Sequence, residues 1–85
     1  MAEVIIYRTT YCPYCDQAKR LFKNLGVAFT EVDVTNDHDM RIKLVEMTGG
    51  RRTVPQVFID GLSVGGYTDV VALQKSGKLD ELLNP

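Results

Sequence analysis

The chain of 85 residues contains two cysteines, and both lie in the run Cys12-Pro13-Tyr14-Cys15. Residues three apart share one face of a helix, so the two thiols are within reach of each other. The apolar, β-branched run Val4-Ile5-Ile6-Tyr7 precedes them and a helical period follows, which places Cys12 at a strand-to-helix junction. Pro13 suits the first helical position, where its missing N–H costs nothing. Cys12 is then the N-cap, its sulfur near the free N–H groups of Tyr14 and Cys15 and at the positive end of the helix dipole. Cysteines so placed have pKa values of roughly 3.5–7.5, against about 8.5 for a free thiol. Cys15 continues the apolar stripe toward Ala18 and Phe22. Cys12 is therefore expected to attack and Cys15 to resolve.

The magnitudes say what an acidic thiol is for. Lowering the pKa from about 8.5 to about 5 raises the thiolate fraction at neutral pH about 30-fold. Intrinsic nucleophilicity falls roughly 40-fold over the same shift, for a Brønsted slope of about 0.45. Cys12 gains almost nothing as an attacker and a good deal as a leaving group. That suits a cycle in which it is repeatedly expelled from a mixed disulfide.

Three other readings compete. A structural disulfide would close a four-residue loop and contribute about 2 kcal/mol. A zinc site would need two more ligands, and the only histidine is His38. Chance spacing is the third. The strand-to-helix placement favours redox chemistry over all of them.

The remaining elements must position this pair. Cys15, Ala18, Leu21, Phe22 and Leu25 form the buried stripe of the first helix, which Gly26 ends. Val27 to Val34 reads as a second strand near an edge. Asn36 or Asp37 caps a second helix to about Met47, with Met40, Leu44 and Met47 facing the core and His38 solvated in its first turn. Val57-Phe58-Ile59, Asp60-Gly61 and Leu62-Ser63-Val64 read as a hairpin around a two-residue turn. Thr68 or Asp69 caps a third helix to about Lys75, and a final helical segment carries Leu79, Leu82 and Leu83. The order β-α-β-α-β-β-α predicts an α/β fold: a four-stranded mixed sheet with helices on both faces.

Ten basic and eleven acidic residues leave a net charge of −1, which argues against a nucleic-acid or membrane binder. The early apolar run is too short for a signal-peptide core or a membrane span. The chain is therefore expected to be one cytoplasmic domain, residues 1–85, in a compartment where a permanent disulfide is unexpected.

Tyr11-Cys12-Pro13-Tyr14-Cys15, Thr53-Val54-Pro55 and Gly65-Gly66-Tyr67-Thr68-Asp69 resemble, in order and spacing, the three signature segments of dithiol glutaredoxins. The similarity spans nearly the whole chain. It implies a thioredoxin-like fold with the second strand outermost and the first and third adjacent. It also implies a glutathione-dependent disulfide oxidoreductase acting through Cys12 and Cys15, with glutathione as co-substrate, no tightly bound cofactor and no metal. Composition alone reads Pro55 as an ordinary trans proline; the resemblance implies a cis Val54–Pro55 bond, with the Val54 backbone meeting the glutathione cysteine. Gly65-Gly66 would let the ligand approach the main chain. The helix start at Thr68-Asp69 would take the γ-glutamyl carboxylate on its amides, and Asp69 could pair with the ligand ammonium. Thr53 belongs to the same site by position, and Tyr14 would flank the groove.

The chain departs from the family pattern where a lysine commonly stands three residues before the first cysteine. Thr9 is there instead, with Arg8 beside it. Arg51 is the better candidate for the glycyl carboxylate; Arg52 either shares that task or is a solvated loop charge. Tyr67 stands where many relatives carry a third cysteine. Expected protein partners are disulfide-containing or glutathionylated proteins, with ribonucleotide reductase a family-level candidate, and the chain is expected to be a monomer. Two further functions remain open at this point. One is an iron–sulfur carrier bridging two chains, which Pro13 disfavours by stiffening the turn. The other is a thioredoxin-like reductant served by a flavin enzyme.

Overall fold

The computed structural model describes residues 2–84. β1 (Val4–Arg8) leads into α1 (Pro13–Asn24), and β2 (Thr30–Asp33) follows. α2 (His38–Met47) then gives way to the hairpin β3 (Gln56–Ile59) and β4 (Leu62–Gly65), and the chain closes with α3 (Tyr67–Ser76) and α4 (Lys78–Leu83). The sheet order is β2-β1-β3-β4. β1 runs parallel to β2 and antiparallel to β3, with Ile6 opposite Glu31 on one side and Val57 on the other. This is the mixed four-stranded sheet expected from the sequence, with the first and third strands adjacent.

Strand alternation divides the core between the two faces. Val4, Ile6, Val57 and Ile59 point toward Phe22 of α1, Val70 of α3 and Leu79 and Leu83 of α4. Tyr7 and Phe58 point the other way, packed edge to face at 5.4 Å, and meet Val34 and Leu44 of α2. Helices therefore cover both faces. Asp60 and Gly61 take φ values of 51° and 81°, as the two-residue turn requires, and the Asp60 carboxylate accepts the Glu3 N–H at 2.8 Å.

Several boundaries differ from the sequence expectation. β2 is only Thr30–Asp33, because Val27 donates its N–H to Phe22 O in the turn that leaves α1 and so belongs to that turn. Leu25 and Met47 are exposed; each lies at or just past a helix end, beyond the reach of the sheet. α3 is capped by Gly66, with Thr68 and Asp69 already inside its first turn. Asp69 reaches back to the Gly66 N–H at 2.9 Å, so it caps from the third helical position and not from the flanking one.

Candidate active site

Cys12 is the N-cap of α1 in extended geometry (φ −147°, ψ 96°), and its sulfur accepts the Cys15 N–H at 3.1 Å. Of the two amides expected there, the bond comes from Cys15. The two sulfurs are joined in a disulfide, with the Cα atoms 5.1 Å apart. Cys12 is half-buried, whereas Cys15 is 1% exposed. An outside thiol can therefore approach only Cys12. The loop before it is clipped to the end of β2: Thr35 Oγ1 accepts the Thr10 N–H at 2.8 Å and donates to Asp33 at 2.6 Å. Hydrogen bonds from the Thr35 hydroxyl and amide hold the Asp33 carboxyl below its ordinary value.

The second wall comes from the segment before β3. The Val54–Pro55 bond is cis, and the Val54 carbonyl oxygen lies 3.7 Å from Cys12 Sγ. A groove of about 290 Å³ opens beside this contact. Tyr14, Arg51, Thr53, Val54, Pro55, Gly66 and Thr68, all singled out in the sequence, line it. Tyr67 joins them, its ring stacked on Tyr14 at 6.2 Å. Tyr67 is a groove residue not expected from the sequence; its place beside Gly66 is the signal that points to it.

Asp69 stands behind the groove wall and not in it. Its carboxylate accepts from Gly66 N–H and, at 2.8 Å, from Arg51 Nη2. The Gly66 amide first, and Arg51 after it, hold the Asp69 carboxyl below its ordinary value. Gly65 is needed for this packing: its φ is +100°, and a Cβ there would sit 2.7 Å from Asp69 Cγ. A Cβ on Gly66 would come 3.3 Å from Pro55 O, so that position is close-packed against the cis-proline segment. Arg8 is turned away from the site, pairing with Glu31 at 2.7 Å and Asp33 at 3.6 Å. Arg52 is exposed and makes no ion pair among the described residues. His38 is exposed in the first turn of α2. No group of three or more His, Cys, Asp or Glu among the described residues could hold a metal ion.

A disulfide with one accessible sulfur, set at a helix N-terminus on a four-stranded sheet, is built for two-electron exchange with other thiols. Fold and site together define a thiol–disulfide oxidoreductase of the thioredoxin-like class. Comparison with known proteins narrows this. Residues 4–64 match the family model for glutaredoxin. Glutaredoxin 1 of Rickettsia prowazekii is 43% identical over 81 residues, covering 94% of this chain and 85% of that protein. Glutaredoxin 3 of Escherichia coli is 43% identical over 83 residues, covering 98% and 99%. The crystal structure of a buckwheat glutaredoxin–glutathione complex superposes with a TM-score of 0.87 at 35% identity, covering 94% of this chain and 74% of that one. The chain belongs to the glutaredoxin family, and its Cys-Pro-Tyr-Cys motif is of the dithiol type. Members of that family are glutathione-dependent thiol–disulfide oxidoreductases that work without a tightly bound cofactor.

Proposed function

We propose that this chain reduces both glutathione mixed disulfides and protein disulfides, binding glutathione in the groove beside Cys12. The observation that carries this is the contact between Val54 O and Cys12 Sγ at 3.7 Å, with the groove opening directly beside it. A glutathione sulfur delivered to Cys12 would lay its peptide along the Val54 backbone as an added strand. Arg51 edges the groove and would take the glycyl carboxylate, its guanidinium turning from Asp69 beside it. The first-turn amides of α3 at Thr68 and Asp69 would offer donors and a positive dipole end to the γ-glutamyl carboxylate. Tyr14 and Tyr67 form the side wall, and the Asp69 carboxylate behind it, bonded to Gly66 and Arg51, would meet the ligand ammonium as Arg51 turns to the ligand.

Two routes follow from one accessible and one buried sulfur. With a glutathionylated protein, the Cys12 thiolate attacks the glutathione sulfur and expels the protein thiolate. A second glutathione thiolate then attacks that sulfur, releasing glutathione disulfide and restoring the Cys12 thiolate. With a protein disulfide, Cys12 forms a mixed disulfide and Cys15 displaces the substrate. This leaves the Cys12–Cys15 disulfide, which two glutathiones reduce back to the dithiol. The thiolate is the leaving group in each closing step, which is where a lowered Cys12 pKa accelerates the cycle.

Among the described residues no helix is long and apolar enough to cross a membrane. A cytoplasmic monomer is the setting this reading assumes, since a cytoplasmic glutathione pool would supply the reductant. The test is reduction of a glutathionylated peptide with glutathione as the only reductant. Turnover that saturates with peptide is expected; no turnover, with activity restored by a thioredoxin-type flavin reductase, would overturn the reading.

A further inference from the structure

β3 carries an anomaly. All four of its residues, Gln56 to Ile59, are buried, and three are apolar. Gln56 is 1% exposed and is the buried polar residue of the core among the described residues. Its Nε2 donates to Thr53 O at 2.8 Å, with a longer contact to Thr53 Oγ1 at 3.3 Å, while Oε1 has no partner among the described residues. Burying an amide with one acceptor unpaired is costly, and an apolar side chain of the same size would avoid it. The amide orientation is set by its partner, because turning it over would press Oε1 against the Thr53 carbonyl oxygen.

What the amide gains is control of one peptide plane. Thr53 C=O and Val54 N–H belong to the same peptide group, and in a trans peptide they point in opposite directions. Gln56 draws the carbonyl toward the core, so the Val54 N–H is turned away from it. Among the described residues nothing in the main chain accepts that N–H. A hydrogen bond accepted at one end of a peptide group also polarises the N–H at the other, making it a better donor. Val54 is the residue whose carbonyl lies against Cys12 Sγ and which lines the groove.

We infer that Gln56 is a positioning residue for thiol-substrate recognition: from inside the core it aims and polarises the Val54 N–H that the bound substrate peptide accepts from. The inference rests on the reading that glutathione pairs with the Val54 backbone. Gln56 does not touch the sulfur, so it acts on substrate binding and leaves Cys12 acidity alone.

Two variants test this by steady-state kinetics on a glutathionylated peptide, together with iodoacetamide alkylation of Cys12 against pH. Gln56→Met keeps the volume and removes the donor. It should raise KM about two- to ten-fold, the span of one net hydrogen bond, with kcat within two-fold and the alkylation midpoint unmoved. Gln56→Glu makes the same donor conditional on protonation. Burial pushes that carboxyl up, so in acid its O–H can donate to Thr53 O and KM should approach the wild-type value. As pH rises and the proton leaves, KM should climb through a single-proton transition absent from wild type. Should the buried carboxyl prevent folding, Gln56→Met decides alone. An unchanged KM in the Met variant overturns the inference, as does a KM rise accompanied by a shifted Cys12 midpoint. Failure of the wild type itself to saturate with the peptide would instead overturn the glutathione reading.

Discussion

Arg51→Ala removes a side chain that bonds Asp69 in the free protein and, on the proposed reading, a ligand carboxylate in the complex. In the free protein its Nη2 lies 2.8 Å from Asp69 Oδ2, with the two side chains 43% and 42% exposed. Ion pairs this open contribute about 0.2–1 kcal/mol, so the variant should lose no more than that in stability. Its guanidinium also edges the groove, where a charge-assisted hydrogen bond to a ligand carboxylate is worth about 1.5–3 kcal/mol. Binding must weaken the bond to Asp69 to gain the bond to the ligand, so the net loss is the difference, about 1–2 kcal/mol. That corresponds to a KM for a glutathionylated peptide raised about 5- to 30-fold. Initial rates across peptide concentration measure it, with glutathione held in excess. Iodoacetamide alkylation should show the Cys12 midpoint unchanged, because Arg51 bonds to Asp69 and not to the sulfur. A KM within two-fold of wild type would refute the assignment of Arg51 to the ligand and leave it a partner of Asp69 alone.

Cys12→Ser should abolish all thiol exchange. Cys15→Ser should keep most deglutathionylation and lose most reduction of protein disulfides; equal loss by both variants on the glutathione substrate would contradict the division of roles. Asp69→Asn should lower stability to urea by less than about 1 kcal/mol at pH 7. The Asp69 carboxyl is lowered in the fold, so its contribution is complete above the unfolded value of about 3.9 and is lost as pH falls through the lower folded one. The deficit should therefore shrink as pH falls below the unfolded value, and a deficit that does not shrink in acid would count against a charge effect. Gly65→Ala should cost about 1–3 kcal/mol, since φ is +100° and Asp69 fills the space for a Cβ. Gly26→Ala, also at positive φ but with open space around it, should cost less in the same urea titration.

Much of the site was legible because it is local. Pro13 after Cys12 dictates the N-cap, and the i, i+3 spacing buries Cys15 behind it; both follow from a few neighbouring residues. The hairpin was equally plain, since Asp60-Gly61 meets the backbone demand of its turn. The cis bond at Pro55 was not legible from composition and came from the resemblance of Thr53-Val54-Pro55. What sequence could not supply is pairing across the fold. Arg51 and Asp69 are 18 residues apart and meet only because the sheet brings the start of α3 beside the loop before β3. Arg8 was left without a destination because its partners, Glu31 and Asp33, sit on a neighbouring strand. The apolar patterns of Leu25 and Met47 misled for the opposite reason. Each fits the helical period, but the helix ends before that turn can touch the sheet.

Part of the groove, here called its floor, is main chain: the Val54 carbonyl against Cys12 Sγ and Gly66, without a Cβ, against Pro55 O. Peptide groups are the one part of a protein that point mutation leaves chemically intact. In binding, an alanine scan across Val54 and Thr68 should therefore be nearly silent, even though both line the groove. The variable chemistry is confined to the rim, at Tyr14, Arg51 and Tyr67. Under drift or directed evolution, preference among thiol substrates would change by exchanging rim residues while the floor persists. A lineage could explore new partners in this way without risking the old one.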